Sequence, residues 1–349
     1  MSLPVRIAVA LSSMKSEEWI EPLREACAAA GVVAQFEAWD GRRIDARYAV
    51  VWLPPAELFT IEAGLRAVFN AGAGVERLLA MPGLPPGLPI VRLVDAGMAP
   101  KMAEYVCFYI ARITRGLDRF GGPNALRDWN AERPRGRPPT VGVLGLGAIG
   151  AHIAQAARLF GYPVRGWSRN PKQLDGIECF DGAARLADFL AGTQILVDAL
   201  PLTGDTRDLL DRQRLSQLPR GAHLINVGRG ATIVDEDLLA ALDGGQLASA
   251  VLDVFRVEPL PSEHPFWHHP KVTVTPHLSG PTPRKPAARQ IAEAIAALEA
   301  GTPVAALPGY VERARGYSRR RARSSPPPLA APAPPKGHAA VLGRPGDSG

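Results

Sequence analysis

Three polar side chains follow three predicted strands, each shortly after the strand ends. They are Arg229, Glu258 and His277, and each lies in a loop that contains glycine or proline. Ligands of open parallel sheets bind at the carboxyl ends of the strands. Three such placements on one predicted sheet edge therefore indicate an active site.

The types of these side chains fit hydride transfer to a 2-keto acid. A hydride that arrives at the carbonyl carbon leaves charge on the oxygen, and a protonated His277 can neutralise it. A carboxylate such as Glu258 fixes the ring tautomer and favours the imidazolium. Arg229 can bind the substrate carboxylate and polarise the carbonyl. Taken singly, each has a plainer alternative: a structural loop histidine, a surface acid, and an arginine that caps a helix or contacts phosphate.

A nucleotide site is predicted where the segment Thr140–Arg169 has the order strand, Gly-x-Gly-x-x-Gly, helix, strand. Gly145 permits the tight turn, Gly147 lets the backbone approach a pyrophosphate, and Gly150 lets the helix pack close to the strand. The free amides and the positive end of the helix dipole then face the phosphates. This context predicts dinucleotide binding, and the alternative is a glycine-rich turn in an unrelated α/β domain.

The end of the second strand selects the dinucleotide. An NAD site usually has an acid there, which binds the ribose 2′-hydroxyl. This chain has Ser168 and Arg169, then Lys172, and no acid before Asp175. A hydroxyl, a guanidinium and an ammonium bind a 2′-phosphate that a carboxylate would repel. NADP(H) is therefore predicted over NAD(H), unless Arg169 is an ordinary solvated loop cation.

The remaining chain alternates short apolar runs with helical segments, which predicts an α/β fold with doubly wound parallel sheets. A strand is predicted at Val32–Phe36, and a long amphipathic helix from Met98 to Phe120 has an apolar stripe typical of a core or a subunit interface. The loop Gly72–Val75 follows another predicted strand. Either the amides of this loop bind an anion, or the loop is a plain turn.

Composition argues against nucleic-acid, membrane and metal-binding classes. The net charge of the 349 residues is +6, but residues 313–349 carry +7, so residues 1–312 carry only −1. No apolar run approaches the roughly 20 residues of a membrane span, and the first 14 residues do not resemble a signal peptide.

The cysteines lie more than seventy residues apart, which favours a reducing compartment. A soluble cytoplasmic protein is expected, with a disordered tail at 318–349. No metal is expected, because His268 and His269 have no third ligand near them in sequence.

The segment LINVGRGATIVDEDLLAALDGGQLASAVLDVFRVEPLP (224–261) resembles the D-isomer-specific 2-hydroxyacid dehydrogenase family, as do VTPHLSG (274–280) and the mid-chain dinucleotide motif. Within that family the chain is most similar to the glyoxylate/hydroxypyruvate reductase A branch, on the residues of 48–55, 72–75, 97–98, 167–169 and 313–317. The resemblance covers about Arg6 to Tyr317. Leu278-Ser279-Gly280 departs from it, since the family usually has small apolar residues after the histidine.

The resemblance implies a role for each candidate residue. Arg229 would bind substrate, His277 would be the acid/base, and Glu258 would be its partner. The amides of Ala73 and Gly74 would bind the substrate carboxylate, with Trp52 lining the pocket. The cofactor residues expected are Gly145, Gly147, Ala148, Ile149, Gly150, Ser168, Arg169, Leu200, Pro201, Val227, Asp253, which would contact the nicotinamide carboxamide, and Gly280.

The resemblance also implies a domain arrangement. Residues 1–96 with 285–317 would form a discontinuous substrate domain, into which a dinucleotide-binding domain, 98–280, is inserted. The long helix after Met98 would join the domains and support a homodimer. The predicted function is NADPH-dependent reduction of glyoxylate and hydroxypyruvate. Two alternatives are a non-catalytic NAD(P)H-sensing protein on the same fold and a dehydrogenase for a bulkier D-2-hydroxy acid, with D-3-phosphoglycerate disfavoured because no added regulatory domain is present.

Overall fold

The computed structural model describes residues 3–12, 14–120, 127, 129 and 136–318. Twelve of its strands form two parallel sheets, with helices in most of the connections between successive strands, so the predicted α/β fold class is confirmed. The tail predicted to be disordered lies, from residue 319 onward, outside the described residues. Within the described part of the chain, no helix combines the length and the apolar character that crossing a bilayer requires.

The first five strands form the smaller sheet. They are β1 (Val5–Leu11), β2 (Ala34–Ala38), β3 (Tyr48–Trp52), β4 (Ala67–Asn70) and β5 (Ile90–Arg92). Their order is β2-β1-β3-β4-β5, and every pairing is parallel. In a doubly wound sheet of this order the ligand crevice opens between β1 and β3, where the strand order reverses. Strand β2 begins at Ala34, two residues later than the predicted Val32, and the side chain of Val33 is exposed.

The next seven strands form the larger sheet. They are β6 (Val141–Leu144), β7 (Val164–Ser168), β8 (Glu178–Asp181), β9 (Ile195–Asp198), β10 (Ala222–Asn226), β11 (Leu247–Leu252) and β12 (Val272–Val274). Their parallel order is β12-β11-β10-β9-β6-β7-β8, the dinucleotide-binding order with one strand added. The strand order reverses between β6 and β9. Strand β8 was not predicted from the sequence, because only Phe180 in it is buried and it lies at the sheet edge.

Nine helices accompany the sheets in the described residues. They are α1 (Glu17–Ala29), α2 (Leu58–Ile61), α3 (Glu76–Leu79), α4 (Ala99–Arg115), α5 (Ala148–Leu159), α6 (Leu186–Ala191), α7 (Arg212–Leu215), α8 (Asp235–Asp243) and α9 (Arg284–Glu299). A two-stranded antiparallel ribbon follows, β13 (Val311–Glu312) with β14 (Tyr317–Ser318). Helix α4 is shorter than the predicted Met98–Phe120, because Gly116 adopts the left-handed conformation that ends a helix and a 3₁₀ turn follows.

Two helices connect the sheets. Helix α4 leaves the small sheet and packs against α5 of the large one, while α9 returns and packs against α1. The small sheet is therefore completed by chain segments on both sides of the large one in sequence. This arrangement leaves a crevice between the carboxyl edges of the two sheets, where strand-end loops from both sheets face each other.

Candidate active site

The carboxyl edge of the large sheet brings the three predicted polar residues together. Arg229 follows β10, Glu258 follows β11 and His277 follows β12, and these strands are neighbours in the sheet. All three side chains line one cavity of about 920 Å³ in the crevice between the sheets. Their placement is therefore consistent with the sequence prediction that the three residues lie on one sheet edge.

His277 and Glu258 form a hydrogen-bonded pair. The Nδ1 of His277 lies 2.9 Å from Oε2 of Glu258, and the other carboxylate oxygen accepts the amide of Phe255 at 3.0 Å. Burial by itself would raise the pKa of Glu258, but the hydrogen bonds from His277 and Phe255, with the charges of His277 and Arg229, hold it below its ordinary value. An ionised Glu258 only accepts, so Nδ1 carries a proton. The Nε2 of His277 is then the nitrogen left for a ligand.

The loop that carries His277 is held by Asp253. The amide of His277 donates to the carbonyl of Asp253, and the amides of Leu278 and Ser279 donate to its two carboxylate oxygens, each at 2.9 Å. His277 has φ of 51°, a conformation that costs a residue other than glycine about 1–3 kcal/mol. Asp253, predicted as a cofactor residue, is fully buried and is not part of the cavity lining.

Arg229 crosses the crevice to the small sheet. Its Nε donates to Oε1 of Glu76 at 3.2 Å, and its Nη1 donates to the carbonyl of Gly228 at 2.6 Å. Its Nη2 lies against Gly74, where an added Cβ would come within 1.7 Å of that nitrogen. Sequence reasoning did not find Glu76. The signal available was an acidic residue in the first turn after a glycine loop.

We call residues Gly72–Val75 the anion loop. The buried side chain of Asn70 donates to the carbonyls of Gly72 at 3.0 Å and Gly74 at 2.7 Å, which fixes the loop. The amides of Ala73 and Gly74 have no acceptor among the described residues, and both residues line the cavity. The ring of Trp52 packs on Gly72 and also lines the cavity. Asn70 is a second residue that the sequence reasoning missed.

We call residues Gly145–Gly150 the dinucleotide loop. It follows β6 at the point where the strand order reverses, and Gly147 is the residue before α5. Gly145 has φ of 106°, and a Cβ on Gly150 would lie 1.9 Å from the carbonyl oxygen of Gly145. Nothing lies within 4 Å of a Cβ added to Gly147, so the space beside the helix start is open. Amides of the first turn of a helix have no helical acceptor and face that space.

The other predicted cofactor residues divide into two groups. Ile149, Leu200, Pro201, Val227 and Gly280 line the same cavity as His277. A second group lies outside that lining: Gly145, Gly147, Ala148, Gly150, Ser168, Arg169 and Asp253.

Ser168 and Arg169 lie at the carboxyl end of β7, next to β6 and its dinucleotide loop. Ser168 is buried and donates through Oγ to the carbonyl of Asn170 at 2.8 Å. Arg169 is half exposed and forms an ion pair at 2.8 Å with Asp205, which is more exposed still. Exposed pairs of this kind are worth little, so the guanidinium can change partners at small cost.

The histidines near α8 contact separate carboxylates and do not gather around a common point. Nε2 of His264 lies 3.6 Å from Asp235, and Nε2 of His269 lies 3.2 Å from Asp243. Over residues 3–12, 14–120, 127, 129 and 136–318, no group of three His, Cys, Asp or Glu side chains could hold a metal ion.

Known proteins resemble this chain over nearly its whole described length. A sequence profile for the D-isomer-specific 2-hydroxyacid dehydrogenase NAD-binding domain matches residues 110–279. A glyoxylate/hydroxypyruvate reductase A of Serratia proteamaculans is 44% identical over 309 residues, which cover 86% of this chain and 96% of that protein. One from Yersinia enterocolitica is 41% identical over 310 residues, 87% of this chain and 97% of that protein.

Solved structures show the same likeness. A D-isomer-specific 2-hydroxyacid dehydrogenase of Xanthobacter autotrophicus Py2, in complex with NADPH and MES, has a TM-score of 0.80 at 39% identity, over 90% of this chain and 100% of that one. An NADPH-dependent glyoxylate/hydroxypyruvate reductase of Sinorhizobium meliloti, in complex with NADP and sulfate, has a TM-score of 0.77 at 33% identity, over 89% of this chain and 99% of that one.

Proposed function

The chain belongs to the D-isomer-specific 2-hydroxyacid dehydrogenase family, and from that premise we propose that it reduces small 2-keto acids with NADPH. The substrates proposed are glyoxylate, reduced to glycolate, and hydroxypyruvate, reduced to D-glycerate. The observation that supports this most is the meeting of three groups at one cavity. They are the His277–Glu258 pair, the guanidinium of Arg229, and the two anion-loop amides that have no acceptor in the described part of the chain.

The substrate carboxylate is proposed to bind between the two sheets. The amides of Ala73 and Gly74 offer two neutral donors, and Nη2 of Arg229 lies beside Gly74 as a charged one. Hydrogen bonds from a guanidinium to a carboxylate are about twice as strong as neutral ones. Glu76 accepts from Nε and so leaves the Nη2 side of the guanidinium facing the loop. A carboxylate held there presents its keto group toward the large sheet.

Proton transfer is assigned to His277. When bound, NADPH supplies the hydride that reduces the keto carbon. His277 donates its Nε2 proton to the carbonyl oxygen as negative charge develops there, which yields the hydroxyl group. Glu258 accepts the Nδ1 proton in a hydrogen bond, which orients the ring and stabilises the imidazolium before transfer. Arg229 stabilises the same developing charge from the other side.

The residues present fit NADP(H). The open space beside Gly147 and the first-turn amides of α5 would hold the pyrophosphate. Ser168 and Arg169 would hold the 2′-phosphate, once Arg169 exchanges its exposed partner Asp205. Leu200, Pro201, Val227 and Gly280 line the same cavity as His277, and the nicotinamide would lie there. The neighbours solved with NADPH or NADP support the same choice.

The domain arrangement and the assembly belong to the same proposal. Residues 1–96 with 285–317 would form the substrate domain and 98–280 the coenzyme domain, in keeping with the return of α9 to α1. A homodimer is proposed with α4 in the interface, because Phe108 on that helix exposes 58% of its surface. Sedimentation equilibrium of the wild type and of Phe108→Ser tests the dimer.

One spectrophotometric experiment tests the function. Oxidation of NADPH and NADH is followed with glyoxylate, hydroxypyruvate and pyruvate, for wild type and for His277→Ala. We expect the wild type to reduce the first two acids with NADPH preferred. If no keto acid is reduced while NADPH still binds, the non-catalytic sensing alternative replaces the proposal. Activity only with larger D-2-hydroxy acids would favour the bulkier-substrate alternative.

A further inference from the structure

The hydroxyl of Thr232 faces two oxygen atoms with a single proton. Its Oγ1 lies 2.6 Å from the backbone carbonyl oxygen of Arg229 and is also hydrogen-bonded to Oδ2 of Asp198. A hydroxyl donates only one hydrogen bond, and both a carbonyl and an ionised carboxylate can only accept. With Asp198 ionised, one of the two contacts would therefore bring acceptors together with no proton between them.

A proton on Asp198 satisfies both contacts. Oδ2 of Asp198 then donates to Thr232, and Thr232 donates to the carbonyl of Arg229. The second oxygen of Asp198 accepts the amide of Leu200 at 3.0 Å, which either charge state allows. The arrangement of donors and acceptors thus favours the neutral carboxyl group.

The surroundings of Asp198 also favour the neutral form. The residue is fully buried at the carboxyl end of β9, and the residues opposite it on β6 and β10 are Leu144 and Asn226, neither of which titrates. In the described chain the charged group that acts on it is Arg229, through its charge alone. Burial raises the pKa of Asp198 to about 6, although Thr232, Leu200 and Arg229 oppose the rise.

The carbonyl of Arg229 has two other donors among the described residues. The backbone amide of Thr232 donates to it at 3.3 Å. Nδ2 of Asn226 donates to it at 3.1 Å, while Oδ1 of Asn226 accepts the amide of Gly228. When Asp198 loses its proton, Thr232 must turn its hydroxyl toward the new carboxylate. The carbonyl of Arg229 then keeps only the amide of Thr232 and the side chain of Asn226, and the buried negative charge of Asp198 acts on the guanidinium and changes its position at Gly74.

We propose that Asp198 is a positioning residue for Arg229, and that its proton, passed on as a hydrogen bond through Thr232, sets how well the arginine binds the substrate carboxylate. The proposal rests on the proposed function only in assigning that carboxylate to Arg229. Substrate affinity is highest while Asp198 is neutral and falls as the pH rises through its titration.

Steady-state kinetics across the titration test the proposal. With glyoxylate and saturating NADPH, the wild-type KM rises about three- to tenfold between about pH 5 and pH 8, the effect of one hydrogen bond. Asp198→Asn keeps a permanent donor toward Thr232, so its KM stays low and flat. Thr232→Val has a high, flat KM, and Thr232→Ser restores the wild-type dependence. The dependence of kcat on pH is the same in all of them, because none of these substitutions changes His277 or Glu258.

A measurement without catalysis separates this proposal from the function. The infrared spectrum of the wild type minus that of Asp198→Asn contains a protonated carboxylic-acid band at low pH, which disappears on titration. If no keto acid is reduced, the proposed function fails and the band still decides the charge state. Absence of the band, or an Asp198→Asn enzyme whose KM follows the wild-type pH dependence, overturns the proposal. Should Asp198→Asn not fold, the wild-type titration and the Thr232 pair give the same decision.

Discussion

The dinucleotide loop and the anion loop both follow a parallel strand, reach the start of a helix and contribute to the cavity lining, yet different neighbours require their glycines. A Cβ on Gly150 would meet the carbonyl of Gly145 at 1.9 Å, an atom of the same loop. A Cβ on Gly74 would meet Nη2 of Arg229 at 1.7 Å, an atom that comes from the other sheet. The first requirement is local in the chain, and the second exists only in the folded molecule.

The two loops use their backbone in the same way, yet one is easier to find from the sequence than the other. Both loops leave amides free for an anion, and both depend on close approach to a glycine. Gly150 is restricted by its neighbours in sequence, so the restriction appears as a motif. Gly74 is restricted by its contact with Arg229, which lies more than 150 residues away along the chain.

The largest effect on activity is expected at His277, which belongs to neither loop. His277→Ala removes the proton donor and should lower kcat about 10²–10⁴-fold, with the KM values for keto acid and NADPH little changed. NADPH oxidation measures both parameters. His268→Ala is the matched control, because that histidine is exposed and does not line the cavity. A kcat for His277→Ala within tenfold of wild type would mean that the loops, and not the histidine, account for the rate.

The local requirement is tested by Gly150→Ala. The added Cβ meets backbone that cannot move independently, so the free energy of unfolding should fall by about 3 kcal/mol and NADPH binding should weaken. Urea unfolding and fluorescence titration measure the two effects. Gly147→Ala is the control within the same loop: with open space around it, it should unfold like wild type yet bind NADPH less tightly. Equal stability for both variants would remove the local explanation.

The tertiary requirement is tested by Gly74→Ala. The guanidinium of Arg229 is the end of a flexible side chain and can move, so the protein should stay folded. Displacing it loses charge-assisted hydrogen bonds to the substrate, so the KM for glyoxylate should rise about 10- to 100-fold, with the KM for NADPH unchanged. Gly87→Ala, with nothing near its added Cβ, is the control. An unchanged substrate KM would place the carboxylate elsewhere.

The smallest effect is expected at Arg169, whose side chain is proposed to bind the 2′-phosphate of the coenzyme. Arg169→Ala should raise the KM for NADPH about tenfold and leave that for NADH unchanged, because only the 2′-phosphate uses the guanidinium. Asp205→Asn removes the competing partner of Arg169 and should lower the NADPH KM slightly. Equal losses for both coenzymes would show that Arg169 does not select between them.

Much of the architecture could be predicted from the sequence. The fold class and the family are confirmed. Both could be predicted because alternating apolar runs and the dinucleotide motif depend on neighbours along the chain. The prediction was wrong in detail. Strand β2 begins later, β8 was not found because its burial depends on a distant partner strand, and the long helix ends at Gly116, where a left-handed glycine stops it. The roles of the site residues stay predictions for the experiments above.

The sequence by itself determined the dinucleotide loop, and through strand order it determined that Arg229, Glu258 and His277 would share an edge. Only the tertiary structure decided that Glu76 and Gly74 would meet Arg229 and that Asp253 would support the loop of His277. It also decided that Asp198 would be buried and linked through Thr232 to the carbonyl of Arg229. The physical reason is the range of the constraint. A tight turn restricts the residues that form it, whereas a charge pair across a crevice or a proton held by burial depends on surfaces that adjoin only after folding.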